Sequence, residues 1–216
     1  MTVRRLLRQW ANVQASNLYE ETPLLLAAQK GYEGIVKLLI KEKDINPDCS
    51  DTRHGQTPLS WAAYNGHARI VELLLEKDGV NLNSRDARNG LTSLSLALVR
   101  GHRRVAEVLV EKDGIDLDTR GAGAGWPPLM YAADRGHEQI VKFLLQNASV
   151  DPNSIDSNGW TPLIWAAYIG HDRIVKQLLK EDGIDINAKT HNDGETPLVK
   201  AAVGGYVTVV ELLLKR

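Results

Sequence analysis

A thirteen-residue string, GQTPLSWAAYNGH at residues 55–67, recurs along the chain with few changes. The other copies read EETPLLLAAQKGY, GLTSLSLALVRGH, GWPPLMYAADRGH, GWTPLIWAAYIGH and GETPLVKAAVGGY. Their Thr/Pro markers are Thr22, Thr57, Thr92, Pro127, Thr161 and Thr196, in steps of 35, 35, 35, 34 and 35 residues. A fixed period of this length means stacked supersecondary units, each too small to bury its apolar face alone. The whole 216-residue chain can therefore form one continuous array, longer than a usual single-core domain.

Each copy reads as the same local structure. Thr57 is placed to cap a helix, its hydroxyl accepting an otherwise orphaned backbone amide, and Pro58 suits the first helical position, where no donor is lost. Leu59, Ala62 and Ala63 share one side of that helix, and the alanines let a neighbour approach closely. Gly66 ends it, since a left-handed terminal residue costs glycine little. A second amphipathic helix follows in ARIVELLLEK, with Ile70, Val71 and Leu74 on its apolar stripe. The polar segment DGVNLNSRDARNG then closes on Asn89-Gly90, a turn signal.

The string T-P-L-x-x-A-A-x-x-G-H followed by I-V-x-L-L-L resembles the ankyrin repeat, over nearly the whole chain. The resemblance implies an all-α repeat solenoid of paired antiparallel helices with hairpin loops. One array over residues 1–216 is expected, with a half-repeat cap at 1–18 and six repeats beginning near 19, 54, 89, 124, 158 and 193. The copies depart from the family's common form in two ways. Most carry about two residues beyond the usual 33, and Leu25, Ser60, Ser95, Met130, Ile164 and Val199 replace the histidine of T-P-L-H. The variant with SWAAYNGH and an aspartate-glycine loop resembles repeats of fungal multidomain proteins, often behind an NTPase or signalling domain.

The ends differ from the middle. VRRLLRQWANV aligns with the second helix of a unit, with Arg4 and Arg8 where an internal copy has Val141 and Leu145, so these arginines are read as a polar cap. At the other end Val209, Val210, Leu213 and Leu214 keep the apolar pattern of an internal helix, which is read first as a piece of a longer array and otherwise as a face open for a partner or a second copy. Ser93, Leu98 and Pro127 break the consensus in units three and four, and GAGAG at 121–125 loosens the tip between them, so this junction is expected to be the softest.

Chemistry is hard to place. A net charge of −1 argues against nucleic acid or an anionic membrane as partner. Cys49 is the only cysteine, which fits a reducing compartment and places the chain in the cytoplasm, with the nucleus left open. GAGAGWPP lacks the lysine and Ser/Thr of a phosphate loop. His67, His102, His137 and His171 recur once per unit, and units stacked ~8–10 Å apart cannot bring them to one metal ion; they are read as holding the turn through backbone bonds, with His54 and His191 solvated in the tips. Asp51, Asp86, Asp156 and Asp193 are read as turn formers. No cofactor, metal or catalytic group is expected, and the chain reads as no enzyme.

Function then falls to positions that vary among the copies: the residue before the marker and the two after the alanine pair. By resemblance to ankyrin repeats these line the concave groove, the family's usual partner surface. They give Tyr64, Leu91, Arg100, Trp126, Arg135, Trp160, Tyr168 and Ile169 as candidate contacts for a protein or peptide partner. Tryptophan, tyrosine and arginine are enriched at binding hot spots. Trp126 and Trp160 hold the same slot in adjacent units and are expected side by side, whereas Trp61 and Trp165, within first helices, are expected in the core. A structural spacer or self-association segment of a larger signalling protein is the alternative; a small-molecule binder ranks below both.

Overall fold

The computed structural model describes residues 12–122 and 125–216. Twelve helices and no strands are found among them, in six pairs: α1 Pro23–Lys30 and α2 Glu33–Leu39; α3 Pro58–Asn65 and α4 Ala68–Leu75; α5 Ser93–Arg100 and α6 Arg103–Val110; α7 Pro128–Asp134 and α8 Glu138–Leu145; α9 Pro162–Ile169 and α10 Asp172–Leu178; α11 Pro197–Gly204 and α12 Val207–Leu214. First helices pack on first helices and second on second, in chain order. This is the all-α repeat solenoid that the period demands. None of these helices is long and apolar enough to cross a membrane.

The caps act as their residue types require. The Ser60 amide donates to the Thr57 hydroxyl at 3.2 Å, and the Ser60 hydroxyl accepts the Thr57 amide at 2.7 Å, a reciprocal pair. Gly66 ends α3 at φ 80° and returns its amide to Ala62 and Ala63 carbonyls. Leu24, Leu59, Leu94, Leu129 and Leu163 are at most 1% exposed, and the paired alanines pack with them in one continuous core.

Three kinds of contact tie neighbouring units together. At the tips, single backbone bonds run from the amides of Thr52, Ala87, Ala122 and His191 to the carbonyls of Tyr19, His54, Asn89 and Asn158, at 2.6–3.0 Å. At the helix turn, the imidazole Nε2 of His67, His102 and His171 bonds the carbonyls of Gln29, Tyr64 and Asp134 at 3.0–3.2 Å. At the back loop, Asn83 and Asn153 donate through Nδ2 to Gly114 and Gly183 carbonyls, while their Oδ1 atoms accept from Asp116 and Asp185 amides. His137 takes the same place as the other histidines, but its buried Nε2 has no partner, and burial pushes its pKa down. His191 is exposed as expected, whereas His54 is half-buried, its ring edge-on to Trp61 at 5.3 Å.

The ends and the middle refine the sequence picture. Arg4 and Arg8 lie outside the described residues. In the last unit Val209 and Leu213 are buried, so of the expected end face Leu214 stays open, 68% exposed, joined by Val199 at 41%. The positions of Val199 in the five preceding units are at most 2% exposed. Pro127 gives α7 no side-chain cap, α7 ends in the right-handed region at Arg135, and the buried Ser93 hydroxyl has no partner. The contact between α5 and α7 is also the least extensive of those between first helices. Restoring the cap with Pro127→Thr should stabilise the array by about 1 kcal/mol, read as a rise of roughly 2–4 °C in Tm for a chain of this size. An unchanged Tm would show that this helix start does not limit stability.

Candidate partner-binding face

Tips and first helices together form one face. In the tip before α9, Asp156 accepts the Asn158 and Trp160 amides through Oδ1, at 2.8 and 2.9 Å, and donates its own amide to the Trp160 carbonyl. The turn so fixed sets Trp160 beside its own first helix. Asp51 and Asp86 hold their tips the same way, through the His54 amide and the Arg88 and Asn89 amides. Asp193 departs from this role. Thr190 takes the turn position in the sixth unit, accepting the Glu195 amide, and its hydroxyl donates to Asp193.

The candidates separate into two aromatic clusters. In units four to six, Trp126 and Trp160 are not directly side by side; Trp165 lies between them, at ring-centroid distances of 4.7 and 4.3 Å. Tyr131 extends the series beyond Trp126 at 5.3 Å, and Tyr168 stands edge-on to Trp160 at 5.2 Å. Such tilted and edge-on pairs are the favoured aromatic geometries. Trp165, expected in the core, is only partly buried and is the centre of this cluster, because its slot sits between two tryptophan-bearing tips. Trp61 does match its core reading at 9% exposure, with its indole donating to Asp51 Oδ2 at 2.8 Å.

In units two and three, Tyr64 stands edge-on to Trp61 at 5.7 Å, and Arg100 places its guanidinium 4.4 Å from the centre of the Tyr64 ring. Tyr168 is 48% exposed, Ile169 and Tyr64 are half-buried, and Arg135 is exposed beside Asp134 at 3.1 Å. Leu91 is the correction. It is 6% exposed, and a Cβ at Gly121 would come within 2.8 Å of its Cδ2. A leucine in that slot is small and apolar enough to be covered by the next tip, so it offers no surface to a partner.

Lys200, 9% exposed, is a member of the aromatic cluster that the variable positions did not point to. Its ammonium lies 4.7 Å from the Trp160 ring centre and 5.9 Å from that of Tyr168, paired with Glu195 and with Asp193 at 3.5 Å. Burial disfavours its charge, but the Glu195 hydrogen bond and both carboxylates outweigh that and raise its pKa. One signal was available: the equivalent position reads Leu26, Trp61, Leu96, Tyr131 and Trp165 elsewhere, so Lys200 is its lone charge. On the opposite flank, burial and then the charge of Asp86 push the Tyr131 hydroxyl up. Among the described residues no three His, Cys, Asp or Glu side chains converge on a metal site. The face thus offers flat rings, fixed cations and capped carboxylates, the chemistry of macromolecular recognition.

A solenoid of helix pairs with a ring-lined tip face defines the class of repeat scaffolds. A family model described as ankyrin repeats (3 copies) matches residues 1–86, 45–121, 78–156 and 129–216, so the chain belongs to the ankyrin-repeat family. Comparison with curated proteins gives no match. Among solved structures, the ankyrin repeat domain of Bcl-3, a member of the IkappaB protein family, is similar at a TM-score of 0.82 and 26% identity, over 98% of this chain and 90% of that one. A chain from the complex of the Bd0816 predatory endopeptidase of Bdellovibrio bacteriovorus with immunity protein Bd3460 is similar at a TM-score of 0.79 and 28% identity, over 94% of this chain and all of that one.

The Thr190 hydroxyl is the main reason that Asp193 has its pKa lowered to about 2, aided by Glu195 and Lys200. A carboxyl held below its ordinary 3.8 stabilises the folded state above that value and loses the contribution as pH falls toward 2. Thr190→Val should return the Asp193 pKa toward 3.8, read by carbon NMR of its carboxyl against pH. An unmoved titration would assign the shift to Lys200 instead.

Proposed function

We propose that the array is a non-enzymatic protein-interaction module whose tip-and-first-helix face, concave in this family, binds a protein or peptide. The observation that carries this reading is the ring series Tyr131–Trp126–Trp165–Trp160–Tyr168, partly exposed and flanked by Arg135 and Lys200. Stacking alone does not require tryptophans before the marker, since units one to three carry Glu21, Gln56 and Leu91 where units four and five carry Trp126 and Trp160. The similar Bd0816–Bd3460 complex is itself a protein–protein assembly, which supports the reading. The partner-contact residues are Trp126, Arg135, Trp160, Tyr168 and Ile169, with Tyr64 and Arg100 along the same face.

Selection of peptides from a random displayed library against the array tests this. Selected peptides should lose roughly 30-fold or more in affinity with Tyr168→Ala combined with Trp160→Ala, a hot-spot loss of about 2 kcal/mol or more. Peptides that bind the variant unchanged would place recognition elsewhere.

A second role is supported by the open end. Val199 and Leu214 present an apolar face of the kind that internal units cover, suited to self-association or to acting as a spacer within a larger signalling protein. The SWAAYNGH variant and its aspartate-glycine loop favour a multidomain, fungal-type setting. A cytoplasmic location, with the nucleus left open, is supported by Cys49, a half-buried thiol pushed up by burial and hydrogen-bonded to Thr22 at 3.0 Å. Sedimentation should show the average mass rising with concentration for wild type but not for the double variant Val199→Glu, Leu214→Glu. A wild type of constant monomer mass would remove the self-association role.

A further inference from the structure

The tip aspartates give a repeated measure of what their second carboxylate oxygen binds. Asp51 Oδ2 accepts the indole N–H of Trp61 at 2.8 Å, and Asp156 Oδ2 accepts that of Trp126 at 3.2 Å. Asp86 occupies the same turn position, with Oδ1 taken by the Arg88 and Asn89 amides, yet among the described residues no donor reaches its Oδ2. The cause lies in two substitutions. Leu96 stands where Trp61 and Trp165 stand in their units, and Gln56 stands where Trp126 and Trp160 stand. Both are smaller than the indole they replace.

A cavity of about 160 Å³ results between units two and three, lined by Gln56, Trp61, Tyr64, Asp86, Arg88 and Leu96 among others. Gln56 supplies a second, independent sign of a missing partner. It is 6% exposed, and its buried Oε1 has no hydrogen-bond donor. Buried polar groups are nearly always satisfied in native proteins, so an orphan beside a cavity marks a place for a ligand. The space is well below the ~300–1,000 Å³ of small-molecule sites and suits one side chain.

We propose that this slot is a recognition pocket for a tryptophan side chain of the partner protein, with its indole N–H donating to Asp86 Oδ2. The array already contains the arrangement twice, each time with an indole on a tip aspartate. Trp61, Tyr64 and Leu96 give the apolar walls that an indole ring needs. Arg88 lines the slot; its guanidinium opposes the lysine or arginine guest that Asp86 would draw and favours the negative face of an aromatic one. The proposal rests on the reading that partners bind this face, and it names the residue type that they bring.

The test is titration of the isotope-labelled full chain with N-acetyl-tryptophanamide, followed by NMR at the Trp61 indole N–H and the Gln56 side-chain amide. Saturable shifts are expected with a Kd on the order of 1–10 mM, as for one isolated side chain. N-acetyl-1-methyltryptophanamide, which lacks the donor, should bind at least about fivefold more weakly, as expected for a lost bond to a charged acceptor. N-acetyl-argininamide should not shift these signals. Gln56→Trp or Leu96→Trp, each copying a sister unit, should fill the slot and abolish the shifts; having two such variants guards against one failing to fold. Equal binding by the methylated indole, saturable binding by the arginine amide, or no curvature by about 20 mM, where even a Kd of about 10 mM would fill roughly two-thirds of the slots, would overturn the proposal. Because the probe needs no partner, such a result would leave the peptide selection at Trp160 and Tyr168 as a separate test of the face itself.

Discussion

An aromatic ring seated on a glycine is the contact on which the register of the array depends. His67, His102, His137 and His171 cover Gly31, Gly66, Gly101 and Gly136 of the preceding unit, and Tyr206 covers Gly170. A Cβ at Gly66 would come within 2.7 Å of the His102 ring. Glycine is therefore required there twice, for the left-handed turn that ends α3 and for the space its neighbour fills. Three of the four imidazoles also bond a carbonyl of the preceding first helix, which fixes rotation as well as distance between units. Tip bonds, and asparagine bridges at two junctions, repeat that register at the other two edges, so units two and three are held to each other at three points around the core.

Fixed register makes equivalent positions comparable, and the differences between units become informative. Each tip aspartate uses one oxygen to close its own turn and has the other free to reach sideways. What it reaches depends on the size of two neighbours, one before the marker and one in the first helix. Where one of them is tryptophan and the geometry allows, the aspartate takes an indole. Asp156 takes the indole of the preceding unit, which leaves the buried Nε1 of Trp165 without a partner. In the sixth unit Lys200 replaces the aromatic ring, and carboxylates gather around it.

Most of the scaffold was legible because its determinants are local. Thr57, Pro58 and Gly66 act within a few residues of themselves, and the alanine and leucine stripes repeat at helical spacing. The aromatic face was only half legible. Trp126, Trp160 and Tyr168 were found as variable large residues, but whether such a residue is exposed depends on a side chain about 35 positions away. Leu91 was misplaced for this reason: the backbone of Gly121 covers it, and nothing near Leu91 in sequence announces that. Trp165 was assigned to the core by its helix position, whereas its neighbours on two successive tips decide its surroundings. The histidines were read as turn-holding residues, but their bonds go to the preceding unit, a distinction that only stacking reveals.

The tryptophans of units four to six consequently have two roles at once. Trp126 links adjacent units through Asp156 and the Trp165 ring, and the same indole lines the face on which a partner would lie. Coupling of this kind stiffens the proposed binding surface, since rings held by one another and by Lys200 have little rotamer freedom left to lose on association. Units two and three are built on the opposite principle. Their slot keeps a carboxylate oxygen without a protein donor and, in Gln56 Oε1, a buried oxygen with none. One half of the face is preorganised by filling its own slots, and the other half keeps a slot for something else to fill.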